Sequence, residues 1–233
     1  VIEVSPIIAM TTWPGRLSQA RRTIENIHRV ATGYPVVLTL SREEFPYGPP
    51  RTGADDVIMC DGNVGPFKKI LYAMEQFYEH PVVSADDDAV YLVNFPELLH
   101  RKWKECGGEH RKLIVTNVPN VKTGGVKVPN GYCTFYPHGC LRGALDMMTS
   151  RIVETNNDDT YYGTILTARN YEFEYLHMVS KIATFVEDGL GLGENGMYRA
   201  GNADLEVIVS ELRKRRDFVP MNELFKRKWI CDG

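Results

Sequence analysis

The stretch Pro81-Val82-Val83-Ser84-Ala85-Asp86-Asp87-Asp88-Ala89-Val90-Tyr91 decides the fold. Its first half is a short apolar run of the kind that forms a buried strand, and it stops abruptly at three consecutive carboxylates. Three adjacent acids repel one another, so a folded chain tolerates them where a cation or abundant water offsets the charge. In an open α/β sheet, ligands gather at strand ends. The pattern therefore points to a hard cation held by oxygen ligands, Mg²⁺ or Mn²⁺ rather than a softer ion. The plain alternative is a solvated acidic turn.

Upstream of it, residues 4–10 form an apolar run suited to a first, central strand. The loop Thr11-Thr12-Trp13-Pro14-Gly15-Arg16 follows, and then Leu17, Ala20, Ile24, Ile27 and Val30 recur at helical spacing. Two hydroxyls and an arginine after a first strand suit the base or phosphates of a nucleotide. The competing reading is a helix start capped by Thr12 or Ser18, with Arg16 solvated. Residues 36–40 and 57–60 read as further strands, and 41–56 as a loop.

The third strand runs into Asp61-Gly62-Asn63-Val64-Gly65-Pro66-Phe67-Lys68-Lys69. Phe67, Ile70, Leu71, Met74, Phe77 and Tyr78 then mark one face of a helix, with Pro66 in its first turn. Lys68 and Lys69 sit near that helix N-terminus, where a cation is disfavoured unless an anion is also there. Phosphate contact is the expectation for one of them, and solvation the default for the other.

Downstream, a helix is expected over 95–106, a strand over 113–116 and a mobile, lid-like loop over 118–131. Tyr132-Cys133-Thr134-Phe135-Tyr136-Pro137-His138-Gly139 reads as a strand and turn whose aromatics suit sugar stacking or a core equally. A second acidic cluster, Asp158-Asp159, opens a helix running through Ile165 and Leu166. Asn157 or Asp158 is the expected cap, which leaves one carboxylate unexplained and eligible as a general base. A late strand (182–186), a glycine-rich loop (189–202) and a final helix with Leu205, Ile208, Val209 and Leu212 complete the pattern. The basic run Arg213-Lys214-Arg215-Arg216 complements that helix's dipole, and with Lys226-Arg227-Lys228 offers a partner or anionic surface as the alternative.

The 233 residues are 43% hydrophobic and 24% charged, with a net charge of −3. That length and balance fit one α/β domain, 1–233, and argue against a dedicated nucleic-acid binder. No apolar run approaches the roughly 18 residues of a membrane span, and no signal peptide is visible. The chain begins at Val1, which reads as an excised polypeptide. Five cysteines without a CxxC pair suggest free thiols of a reducing, cytoplasmic compartment.

In order, these motifs resemble GT-A glycosyltransferases, including small sugar transferases of bacteria and large algal viruses. The resemblance rests on Thr11-Thr12-Trp13-Pro14-Gly15-Arg16, Asp61 to Lys69, Asp86-Asp87-Asp88 as the DxD motif, Tyr136-Pro137 and Asp158-Asp159. It implies a mainly parallel, Rossmann-like sheet, a nucleotide-sugar half at about 1–92 and an acceptor half at about 93–233. It implies that Asp86 and Asp88 hold Mn²⁺ or Mg²⁺ against a donor diphosphate, commonly UDP-linked. Thr11, Thr12, Arg16, Asp61, Gly65, Lys68, Lys69, Asp86 and Asp87 then contact the nucleotide sugar. Tyr132, Tyr136 and His138 face a glycan acceptor, and Asp159, or failing it Asp158, is the base for an inverting transfer. His177 is the one candidate for a third metal ligand.

Rival readings remain at this stage. A haloacid-dehalogenase-like phosphatase would use Asp86 as nucleophile and Asp88 as acid/base with Mg²⁺. Its nucleophile strand normally opens the domain, whereas three strand-like segments precede Asp86 here. A sugar-1-phosphate nucleotidyltransferase would carry a Gly-rich basic loop where this chain has Thr-Thr-Trp-Pro. A non-catalytic sugar- or nucleotide-binding domain is the third.

Overall fold

The strand Ile7–Thr11 (β1) is buried from Ile7 to Met10, so both faces must be covered, and it takes the centre of the sheet. The computed structural model describes residues 4–117, 120–121, 126–177, 182–185 and 202–215. On one side β1 pairs in parallel with Val36–Ser41 (β2), which pairs in parallel with Asp56–Cys60 (β3). On the other side it pairs in parallel with Val82–Ser84 (β4), the strand that ends at the acidic triplet. Beyond β4 come Thr134–Tyr136 (β9), Leu113–Thr116 (β6) and Glu172–Tyr175 (β10), in the order β10-β6-β9-β4-β1-β2-β3. Only β9 runs antiparallel to its neighbours.

Two consequences position the site. The chain leaves β1 toward β2 and returns on the other side at β4, so the loops after β1 and β4 diverge and open a crevice. The reversed β9 brings residues 130–133 to the edge where β4 and β6 end, with Val83 opposite Phe135 and Thr116 opposite Thr134. The sheet is covered on both faces. Ile8 and Met10 pack with Leu17–Val30 (α1) and Phe95–Glu105 (α3). Ile7 and Ala9 pack with Lys68–Gln76 (α2), Asp158–Ala168 (α5) and Asn202–Arg213 (α6).

Several elements differ from their expected form. Neither Thr12 nor Ser18 caps α1; a 3-10 turn, Pro14–Arg16, leads into it with no side-chain cap. Asn157 is the α5 cap, accepting from Thr160 N–H, so both Asp158 and Asp159 are available for other work. The expected lid holds a two-stranded ladder of Asn120–Val121 (β7) and Lys127–Val128 (β8). Val126 and Val128 are buried in the core there, although Pro, Gly and Asn dominate the segment. The short helix Ser150–Thr155 (α4), only six residues long, is too brief to leave a periodic signal. Ala89–Tyr91 (β5) pairs antiparallel with Ala183–Phe185 (β11), the expected late strand. Arg216, the 226–228 basic run and Cys231 lie outside the described residues, as does all of the 189–202 loop except Asn202. The four described cysteines are free thiols, and no helix among the described residues is long and apolar enough to cross a membrane.

Helix α5 is fixed against α2 by Tyr162, whose hydroxyl donates to the Phe67 carbonyl at 2.8 Å, and against the preceding turn by Tyr161, which donates to Ala144 O at 2.6 Å. Gly163 lets β8 come close: a Cβ there would lie 2.4 Å from Lys127 O and 2.9 Å from Val128 Cα. Ala is ordinarily favoured over Gly inside a helix by about 1 kcal/mol. Here that preference reverses. Gly163→Ala is expected to lower unfolding stability by about 1–3 kcal/mol, measured by urea denaturation, because backbone must move to admit the methyl group.

Candidate functional site

The turn after β4 is built from below by polar side chains on α1. Thr23 Oγ1 lies 3.0 Å from the carbonyl oxygens of both Asp87 and Ala89. Asn26 braces Tyr91 by donating to its carbonyl (3.0 Å) and accepting from its N–H (2.6 Å). The Tyr91 hydroxyl in turn accepts from Asp86 N–H at 3.0 Å and donates to Tyr132 O at 2.9 Å. Thr23 and Asn26 escaped sequence reasoning, and their signal was two polar residues on the otherwise apolar face of Ile24 and Ile27.

Asp87 points inward. Thr12 Oγ1 donates to its Oδ2 at 2.5 Å, and Arg16 donates to its Oδ1 at 3.0 Å. The other Arg16 terminal nitrogen reaches Asp88 Oδ2 at 2.9 Å. Burial pushes the Asp87 carboxyl up to about 6, against the hydrogen bond from Thr12 and the charge of Arg16. Burial also raises Asp88, with the neighbouring Asp86 charge adding and Arg16 opposing. Thr12, Arg16 and Asp87, all expected to touch a nucleotide, thus bond to one another and hold the acidic turn.

The second cluster meets the first through one side chain. Lys69, at the start of α2, is buried, and its Nζ donates to Asp86 Oδ1 at 2.8 Å and to Gly131 O at 2.9 Å. Asp158 Oδ2 lies 3.7 Å from the same nitrogen. Asp159 Oδ2 accepts from Gly131 N–H at 3.2 Å. Burial lowers the pKa of Lys69, but the charges of Asp86, Asp158 and Asp159 outweigh it and hold the pKa above the ordinary value. Burial raises Asp158, opposed by Lys69, and raises Asp159 well above the carboxylate range, with the Asp158 charge adding to the effect. Asp158 Oδ2 and Asp159 Oδ1 are buried and make no hydrogen bond among the described residues.

The remaining candidates divide. Thr11 donates to Thr39 O at 2.8 Å inside the sheet. Asp61 is exposed beyond β3 and pairs with Arg42 at 3.0 Å. Gly65 has a φ of +59°, with room for a Cβ limited by Asn156 Oδ1 at 3.0 Å. Lys68 is buried and bonds to Glu44 (2.8 Å) and Asn63 (3.1 Å). The anions that the two lysines called for are therefore carboxylates of the chain itself. Tyr132 accepts from Asn117 Nδ2 at 3.0 Å. Tyr136 is fully enclosed, edge-on to Tyr162 at 6.1 Å, and His138 is exposed on the turn after β9. His177 lies past the end of edge strand β10, three strands from β4, and among the described residues no group of three metal-ligating side chains assembles.

Asp86 and Asp88 fit a hard divalent cation nonetheless. They offer oxygen only, both are partly exposed, they repel each other, and among the described residues each pairs with one cation. Mg²⁺-type sites commonly take one or two carboxylates and complete their shell with substrate phosphates and water. The phosphatase alternative fares worse: Asp86 follows the fourth strand of the sheet, and its turn is wired to the loop after β1.

No family model matches the chain, and no curated protein matches it. Among solved structures, it is similar to mannosyltransferase PcManGT from Pyrobaculum calidifontis in complex with GDP-Man and Mn²⁺, with a TM-score of 0.53 and 12% identity over 91% of this chain and 77% of that one. Another match, 4-diphosphocytidyl-2C-methyl-D-erythritol synthase, has a TM-score of 0.42 and 11% identity over 73% of this chain and 89% of that one. The first likeness shows the fold: a GT-A-like, Rossmann-type sheet flanked by helices.

Arg16 gives a pH-dependent test of the turn. A carboxyl raised to about 6 in the fold holds its proton more tightly than in the unfolded chain, so stability declines as pH rises through that window. Without Arg16 the buried Asp87 charge is less compensated still. Arg16→Met is expected to cost about 3–5 kcal/mol at about pH 8 and distinctly less at about pH 5, where Asp87 is protonated. Denaturant unfolding of both proteins across that range checks the sign.

Proposed function

We propose that the protein is a metal-dependent glycosyltransferase that moves a sugar from a nucleoside-diphosphate sugar to an acceptor hydroxyl, with inversion. The observation that carries this reading is the meeting of two acidic clusters, one from each half of the chain, across Lys69 at the carboxyl edge of the sheet. One cluster suits the donor's metal-diphosphate, and the other suits the incoming hydroxyl. The fold likeness to a protein solved with GDP-Man and Mn²⁺ supports the same assignment.

Asp86 and Asp88 are the residues that would hold Mn²⁺ or Mg²⁺, which offsets charge on the leaving diphosphate as a Lewis acid. Asp61 and the Gly65 turn receive the nucleoside, open as they are at the end of β3, with UDP or GDP as its carrier. Thr12, Arg16 and Asp87 hold the acidic turn, Thr11 is tied to Thr39 within the sheet, and Lys68 fixes the loop before α2 through Glu44 and Asn63. Tyr132, just before β9, borders the acceptor side and the enclosed Tyr136 supports it from within the core, whereas His138, past the other end of the antiparallel β9, lies at the opposite edge of the sheet and takes no part.

Asp159 is the base. Gly131 N–H orients one carboxylate oxygen, and the other makes no hydrogen bond among the described residues, which leaves it a lone pair for the acceptor's proton. As Asp159 takes that proton, the acceptor oxygen bonds to the anomeric carbon and the bond to the diphosphate oxygen breaks. Attack from the face opposite the leaving group inverts the centre. Burial and the Asp158 charge raise the Asp159 carboxyl, so the acid limb of kcat/KM should lie above the ordinary carboxylate range, with rate rising as pH increases through it.

Substitution separates the roles. Asp159→Asn is expected to lower turnover by about 10²–10⁴-fold while leaving metal-dependent nucleotide affinity within about threefold. Asp86→Asn and Asp88→Asn should instead lose the metal-dependent part of nucleotide binding. Release of nucleoside diphosphate from a panel of sugar nucleotides, paired with calorimetric binding, reads both. Full turnover in Asp159→Asn would refute the assignment.

A further inference from the structure

We propose that Lys69 is a displaceable internal counter-ion: it pairs with Asp86 and, were a divalent ion held there, would move onto Asp158 and Asp159. The inference rests on the transferase reading, because it assumes that Asp86 takes a metal ion. It assigns Lys69 a positioning role that couples the donor half to the base.

The geometry is asymmetric in the way such a handover requires. The ammonium spends one donor on Asp86 (2.8 Å) and one on Gly131 O (2.9 Å), but stays 3.7 Å from Asp158, beyond hydrogen-bond range. Asp158 Oδ2 and Asp159 Oδ1 are meanwhile buried without a hydrogen bond among the described residues. The acidic pair is thus under-served while Lys69 is held by Asp86. A shift of about 1 Å would bring Nζ within hydrogen-bond distance of Asp158. The Gly131 carbonyl provides a pivot, and this backbone lies against both partners: a Cβ on Gly131 would sit 3.1 Å from Asp159 Oδ1 and 3.2 Å from Lys69 Nζ.

Charge points the same way. Among the described residues, the cations paired with Asp86, Asp87, Asp88 and Asp158 are Arg16 and Lys69, so with Asp159 beside them the carboxylates outnumber the cations by three. A divalent ion would relieve that excess, but Asp86, one of its two ligands in the transferase reading, already pairs with Lys69, and two cations on one carboxylate repel. Displaced from Asp86, the Lys69 charge settles beside the base pair and keeps it ionised for the acceptor. Metal and donor binding in one half thereby readies the base in the other.

The sign of one measurement separates this role from a structural one. Lys69→Met should unfold at a lower temperature than the wild type without metal, yet bind Mn²⁺ at least about tenfold more tightly, because its competitor is gone. The Mn²⁺-induced rise in melting temperature should be correspondingly larger. Lys68→Met removes the same charge one residue away, from a lysine bonded to Glu44 instead, and should change Mn²⁺ affinity by less than about twofold. Should Lys69→Met fail to fold, Lys69→Met/Asp158→Asn compared with Asp158→Asn gives the same reading at restored charge. Unchanged or weaker Mn²⁺ binding in the Lys69 variant, or an equal gain in Lys68→Met, overturns the proposal while wild-type binding of Mn²⁺ and nucleotide leaves the transferase reading intact. Absence of Mn²⁺ binding in wild type and variant alike defeats both.

Discussion

A buried ammonium surrounded by carboxylates is the constraint on which the rest of the site depends. Lys69 lies among Asp86, Asp158 and Asp159 with little access to water. Desolvating any one of those charges singly is costly, and only their mutual attraction and the Gly131 hydrogen bonds make the group tolerable. The requirement reaches outward. Helix α2 must present Lys69 at its first turn, α5 must present Asp158 at its own, and Tyr162 ties the two helices at a fixed distance. The segment before β9 must pass between them as bare backbone.

The sheet supplies the rest of that geometry. Parallel pairing of β1 with β2 and β4 gathers the strand ends on one edge, and reversal of β9 adds residues 130–133 to it. Polar groups that a core would ordinarily exclude are admitted where they serve this edge. Thr23 and Asn26 on α1 satisfy the backbone of the acidic turn, and Arg16 and Thr12 satisfy Asp87 beneath it. The middle carboxylate of the triplet therefore secures the turn, which leaves Asp86 and Asp88 as its two partly exposed carboxylates.

Much of this was legible in the chain because strand ends carry local signals. An apolar run that stops at three acids, and another that stops at Asp-x-Asn-x-Gly-Pro, announce a strand and then a change of environment. Helices α1 and α2 followed from apolar periodicity, α3 fell within the helix expected over 95–106, and β11 fell where a late strand was expected. What stayed hidden was pairing across long separations. Nothing near Lys69 in sequence says that its anion is Asp86, seventeen residues on, or Asp158, further still. The same holds for Asp87 with Thr12, and for Lys68 with Glu44, where an internal carboxylate stands in the place assigned to phosphate. The β7–β8 ladder was masked because two buried valines are a faint signal among Pro, Gly and Asn.

Thermal unfolding with UDP, GDP and dTDP, each with and without Mn²⁺, tests the central claim most directly. A ligand present at 100 times its dissociation constant stabilises the fold by about 2.7 kcal/mol, an easily visible melting shift. The account predicts stabilisation by one of the nucleoside diphosphates only when the metal is present. Stabilisation by Mn²⁺ alone, with no response to any nucleotide, would contradict it.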